Sequence, residues 1–170
     1  AAAWGDLWGG FQSEKANRFG SPAERQHPNA AAILEAKRLT FRYGIAAQSF
    51  TGVKDSVVIT TASGLGEYFG NDFMVTPGAA LGDRPVTDDA MAGTIMHEIG
   101  HTLGLGHGGD QDDDPYHFKP NYHSVMNYLW QMPVPNHELG EGSLPGRAMQ
   151  RLRQSWELRF HDGSMNQLDE

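Results

Sequence analysis

The stretch His97-Glu98-Ile99-Gly100-His101-Thr102-Leu103-Gly104-Leu105-Gly106-His107 restricts this chain more than any other feature of it. On a helix, positions i and i+4 project from one face, so His97 and His101 point the same way, one turn apart. Two imidazoles so placed reach a single Zn²⁺ at ~2.0–2.1 Å. Glu98 lies about 100° around the helix from His97. It flanks such an ion without ligating it, where a general base toward a metal-bound water belongs. Gly104 allows the positive φ with which the chain reverses, and His107 then returns as a third ligand. Three nitrogen ligands leave a fourth position for water, the pattern of a catalytic rather than a structural site.

The helix that carries this stretch reads as Asp89–Leu103, capped by Thr87 or Asp88 and stopped by Gly104. Asp88 and Asp89 suit the positive end of its dipole. Ile95, Ile99 and Leu103 form an apolar stripe along it. Around this helix, residues 1–28 read as irregular, broken by Gly5, Gly9, Gly10, Gly20, Pro22 and Pro28, with Trp4, Leu7, Trp8 and Phe11 anchoring the arm on the core. Asn29 caps a short helix over Ala30–Lys37. Alternation of Leu39, Phe41, Tyr43 and Ile45 with Thr40, Arg42, Gly44 and Ala46 predicts a strand, as do Ser56–Thr61 and Asp72–Thr76. Residues 108–123 read as loop. Leu144, Ala148, Leu152, Trp156 and Phe160 share a stripe that predicts a last helix over Ser143–Phe160.

Composition narrows the partners. The 170 residues suit one domain, and a net charge of −8 makes the chain a poor binder of phosphate, so neither nucleic acid nor an anionic membrane is expected as a partner. No apolar run reaches the ~18 residues of a membrane span. Cysteine is absent, which excludes thiolate ligands, thiolate catalysis and a cysteine-switch latency segment. The chain opens on Ala1 with no basic-then-apolar leader, consistent with a leader already removed or with a fragment of a longer protein.

A second motif follows the first, Ser124-Val125-Met126-Asn127-Tyr128. Together the two resemble the metzincin metallopeptidases, whose signature is HExxHxxGxxH followed by a methionine-containing turn. The SxMxY form is similar to the turn of astacins and serralysins. The resemblance implies an α/β (α+β) fold: a zincin catalytic domain with a mixed sheet, active-site helix, Met-turn and C-terminal helix. It spans residues 1–170 as one domain, with an upper part up to about residue 107 and a lower part over 108–170. It implies Met126 as an apolar base beneath the three histidines. It also implies Tyr128 as a switchable fifth zinc ligand that turns to hydrogen-bond the tetrahedral intermediate. SGLGEYFGNDFMVT (63–76) and KPNYHSVMNY (119–128) look like segments of bacterial metzincins. Residues 1–40 depart from the family, which opens with a strand and a long helix. A thermolysin-like third ligand would be a downstream Glu, but Glu138 and Glu141 lie in a Gly/Pro-rich stretch.

The expected activity is that of a secreted, monomeric zinc endopeptidase acting on a protein or peptide substrate. Zn²⁺ and Glu98 would activate water, and Tyr128 and the metal would steady the oxyanion. Substrate would lie extended along an edge strand, placed at Asp72–Thr76. Two alternatives share the metal: a catalytically idle zinc-binding interaction module, against which the retained Glu98 argues, and a peptidoglycan-directed zinc hydrolase. Asp110, Asp112, Asp113 and Asp114 follow the motif in a stretch without Lys or Arg from residue 85 to 118. They read equally as a Ca²⁺ site on hard oxygen ligands or as a solvated acidic loop. The remaining histidines (27, 117, 123, 137 and 161) show no ligand spacing.

Overall fold

The computed structural model describes Trp8 and residues 10–54, 57–59, 62–81, 85–108, 122–133 and 156–161. They form a mixed α/β structure in the order α1 (Phe11–Arg18), α2 (Pro22–Gln26), α3 (Ala30–Arg38), β1 (Tyr43–Ala46), β2 (Gly52–Lys54), β3 (Val57–Ile59), β4 (Gly64–Gly66), β5 (Asp72–Val75), α4 (Pro77–Leu81) and α5 (Asp88–Thr102).

The described residues between 10 and 28 are not irregular, as the glycines and prolines suggest, but largely helical; residues 1–7 lie outside the described residues. The breakers mark the boundaries of helices. Gly20 takes φ +82° between α1 and α2. Pro22 opens α2, where Ser21 and Glu24 exchange the two hydrogen bonds of a capping box. Helix α1 presents Phe11 and Lys15 to the interior beside Trp8. Lys15 ion-pairs there with Asp72 at the start of β5, and both are buried.

The alternation predicted from Leu39 does not become strand until Tyr43. Thr40 and Phe41 still donate their amides to the carbonyl of Lys37, prolonging the end of α3, and Leu39 and Phe41 stand 82% and 56% exposed. Strand β1 pairs in parallel with β5, and β4 pairs antiparallel with the other side of β5, so the sheet runs β1-β5-β4. Asp72–Val75 is therefore the central strand and not an edge, which overturns its expected role as the substrate-pairing strand. The edge on that side is β4, too short and glycine-rich to announce itself by pattern. Strands β2 and β3 form a separate antiparallel pair, with Val53 opposite Val58. Residues 56, 60 and 61 of the strand predicted over 56–61 lie outside the described residues.

The register sorts side chains to two faces. Tyr43, Ile45, Leu65 and Met74 pack with Trp8 and Phe11 on one side. Gly44, Gly64, Gly66 and Val75 fall on the other, where α5 crosses β4 and β5. A β-carbon on Gly64 would lie 2.5 Å from Glu98 Oε1, and one on Gly66 would lie 2.5 Å from the Glu98 carbonyl oxygen. Only glycine lets α5 approach β4 so closely.

At the other end of the chain, the helix predicted over Ser143–Phe160 falls mostly outside the described residues, but Trp156–Phe160 is not helical. The Arg159 carbonyl accepts instead from the Val125 amide at 2.9 Å, and Trp156 Nε1 donates to the Trp130 carbonyl at 2.9 Å. These contacts hold the segment against the 122–133 turn. No helix among the described residues is long and apolar enough to cross a membrane.

Candidate metal centre

Helix α5 starts where the sequence places its cap: Thr87 Oγ1 accepts from the Ala90 amide at 3.2 Å. Its buried face is not the Ile95–Ile99–Leu103 stripe, since Leu103 is 50% exposed. The helix buries small and polar residues instead, among them Gly93, Thr94, His97, Glu98 and Thr102. Gly93 and Gly100 make room for the 122–133 segment. A β-carbon on Gly93 would collide with the Gln131 carbonyl, and one on Gly100 with the Met126 sulfur. The helix ends in a Schellman motif. Gly104 adopts φ +85°, its amide donates to the His101 carbonyl at 2.9 Å, and the Leu105 amide donates to the Gly100 carbonyl at 2.9 Å. This reversal brings His107 back toward the helix.

His97, His101 and His107 converge, with one ligand nitrogen from each lying within 4.8 Å of the others. His97 is buried, and the other two are half-buried. The tautomers follow from their partners. His97 Nδ1 lies 2.7 Å from the Val125 carbonyl oxygen, and His101 Nδ1 lies 2.9 Å from the Leu105 carbonyl oxygen. Carbonyls only accept, so both Nδ1 atoms carry hydrogen and the neutral rings present bare Nε2 lone pairs. Those two Nε2 atoms face each other at 3.1 Å. Two ring nitrogens at that separation share either a proton carried by one of them or a cation held between them. Tetrahedral ligation at ~2.0–2.1 Å asks for a nitrogen separation of about 3.3 Å, close to that found. Burial, reinforced by the two neighbouring imidazoles, holds His97 well below the usual imidazole pKa and so keeps it an unprotonated ligand. The three histidines form a set that can hold a metal ion, and backbone carbonyls orient two of them from behind.

Glu98 is 3% exposed, and its side chain makes no hydrogen bond or ion pair among the described residues. Burial pushes its carboxyl pKa well above the usual 4.5. A carboxylate so largely desolvated and without a protein partner is costly, and nothing in the packing of α5 on β4 requires one at this position.

Met126 is fully buried, with its sulfur against Gly100. The turn around it is closed by Ser124 Oγ, which accepts from the Met126 amide at 3.2 Å, and by Asn127 Nδ2, which donates to the Tyr122 carbonyl at 2.9 Å. Tyr128 is half-buried, its ring centroid 4.2 Å from that of His107 and 5.6 Å from that of His97. The two sequence motifs therefore meet in space. Asp110, Asp112, Asp113 and Asp114 lie outside the described residues. His27, His123 and His161 stand apart from the centre. His27 accepts from the Asn29 amide, His123 packs on Trp130, and His161 packs on Tyr122.

The groups that a side-chain reading misses are mostly backbone. The Val125 and Leu105 carbonyls set the two tautomers, and no sequence pattern marks them. The Gln131–Ser63 hydrogen bond (2.9 Å) ties the turn region to the entrance of β4 and spans 68 residues, too far for any local signal.

No protein-family model matches the chain, and neither a curated protein nor a solved structure matches it.

Proposed function

We propose that this protein is a zinc-dependent endopeptidase with a metzincin-type catalytic domain. The observation that carries the reading is the pairing of three convergent histidines with a buried, unpartnered glutamate one residue after the first of them. A histidine site built only to hold metal has no use for that carboxylate.

Bound by His97, His101 and His107, zinc would supply Lewis-acid polarisation of a carbonyl and acidification of water. Glu98 takes a proton from the attacking water and delivers it to the leaving amine. The Tyr128 hydroxyl, carried on a ring beside His107, donates to the developing oxyanion. Met126 fills the floor below Gly100, and the Val125 carbonyl keeps His97 in its ligand tautomer. The substrate aligns with β4, the strand at the sheet edge nearest Glu98, by adding as a further strand. Secretion fits this role.

The test is Glu98→Gln. The purified variant should keep about one zinc per chain, keep its fold and lose casein hydrolysis, while the parent loses activity to a chelator and regains it with zinc. A variant that retained full hydrolysis would overturn the assignment of the base. A parent that stayed inactive on casein with zinc bound would favour the idle module.

A further inference from the structure

The end of α3 and the β4–β5 turn enclose an open cleft of about 510 Å³ lined by Arg38, Phe41, Arg42, Phe69 and Thr102 among others. It is separate from the three histidines. Its floor is Thr102, whose hydroxyl donates to the Ile99 carbonyl at 2.7 Å and accepts from Arg42 Nε at 2.6 Å. This chain fixes the Arg42 guanidinium by one nitrogen. Its terminal nitrogens have no partner among the described residues. Arg42 ends the run Lys37-Arg38-Leu39-Thr40-Phe41-Arg42; Lys37 pairs with Glu24 and Arg38 with Glu35, which leaves Arg42 as the cation of the run without a carboxylate among the described residues. The one carboxylate in the wall, Glu67, is engaged by the Asn71 amide at 3.0 Å.

The apolar part of the cleft is equally unusual. Phe69 is 74% exposed and adopts φ +54°, a backbone conformation that a bulky residue rarely takes. Its ring occupies the space where a side chain on Gly104 would stand, and its amide donates to the His101 carbonyl at 3.2 Å. Residues held in such backbone conformations cluster at active sites, ligand clamps and switch regions. Leu39, 82% exposed, lines the same cleft. The cleft thus presents three apolar side chains, Leu39, Phe41 and Phe69, beside the guanidinium of Arg42. It is concave, whereas a bilayer presents a flat surface.

We propose that this cleft docks an extended peptide segment in which an apolar side chain is followed by carboxylates. The apolar group would pack against Phe41 and Phe69, and a carboxylate would take the free fork of Arg42. The site does not depend on the metal centre.

The experiment titrates the ¹⁵N-labelled full chain with the capped hexapeptide Gly-Phe-Leu-Asp-Glu-Gly. Comparison peptides replace the acids by Lys or the apolar pair by Ser, and phosphatidylserine-containing vesicles are run in parallel. Amide shifts should map to residues 38–42 and 67–71. Arg42→Gln and Phe69→Asn should each weaken binding about tenfold, and Arg42→Lys should weaken it less. Asn accepts positive φ, so Phe69→Asn removes the ring without forcing the turn, and an unchanged melting temperature verifies this. Shifts that are absent or map elsewhere would overturn the proposal. So would equal binding of the Lys peptide, or sensitivity to Phe69→Asn seen with vesicles alone.

Discussion

His97 donates its Nδ1 hydrogen to the Val125 carbonyl oxygen across 2.7 Å, so the residue before Met126 sets the tautomer of the first candidate ligand. The contact depends on how closely α5 approaches the turn, and Gly100 sets that distance by lying directly on the Met126 sulfur. Gly100→Ala should force the two apart. We expect a loss of about 1–3 kcal/mol from overpacking, together with metal affinity lowered about 10–100-fold as the orienting hydrogen bond lengthens. Denaturant unfolding and a competitive zinc titration measure the two effects separately. Unchanged zinc affinity would show that the His97–Val125 contact does not depend on this packing.

The centre was legible in the sequence because its chemistry is local. His97 and His101 are one helical turn apart, Gly104 is the left-handed C′ residue that returns the chain, and Thr87 is a cap. Each is set by neighbours within a few residues. The misreadings arise where distant partners decide. The glycines and prolines before residue 30 were expected to abolish helix, yet they bound two helices, because Phe11 and Lys15 gain a buried partner surface on the sheet. The Ile95–Leu103 stripe pointed to the wrong buried face, because α5 buries the residues that meet β4 and the Met126 turn. The position of β5 in the sheet depended on β4, three residues with two glycines whose only distinguishing property is the space they leave for α5.

The Lys15–Asp72 pair ties α1 to the central strand, with both side chains under 10% exposed. Gln12 Nε2 also donates to Asp72 at 3.3 Å. Removing the ammonium leaves a buried carboxylate without its countercharge. Lys15→Met should therefore cost about 3–5 kcal/mol, and adding Asp72→Asn should recover a large part of it. A double-mutant cycle on unfolding free energies gives the coupling. A single-mutant loss below about 1 kcal/mol would place the pair in the class of surface ion pairs.

Helices α2 and α3 are joined by Lys37 Nζ, which donates to Glu24 at 2.7 and 2.9 Å. The Lys37 hydrogen bonds, aided by the Ser21 amide, lower the Glu24 pKa from its usual 4.5 to about 2. A depressed folded-state pKa means that the unfolded chain binds the proton more tightly. The stabilisation is therefore complete above about pH 4.5 and is lost as pH falls toward 2. A carboxyl-carbon titration should find Glu24 well below the usual glutamate value of 4.5, and Lys37→Gln should move it back up. A normal Glu24 titration in the parent chain would remove the proposed clamp.

Tyr128→Phe separates a catalytic hydroxyl from a wall residue. The ring sits 4.2 Å from His107 and 5.6 Å from His97, centroid to centroid, so the phenyl variant still fills its place beside the candidate ligands. Fold and zinc content should therefore be retained. If the hydroxyl donates to the oxyanion, the lost contact forms mainly in the transition state, and kcat should fall more than KM rises. A decrease of about 10–10³-fold fits one donor that shares the oxyanion with a metal. Steady-state kinetics on an unstructured peptide, at saturating zinc, gives kcat and KM separately. An unchanged kcat would reduce Tyr128 to a packing role and remove the astacin- and serralysin-like part of the proposal. The three-histidine centre would still stand, because neither the Val125 and Leu105 carbonyls nor the Gly104 reversal depends on the Tyr128 hydroxyl.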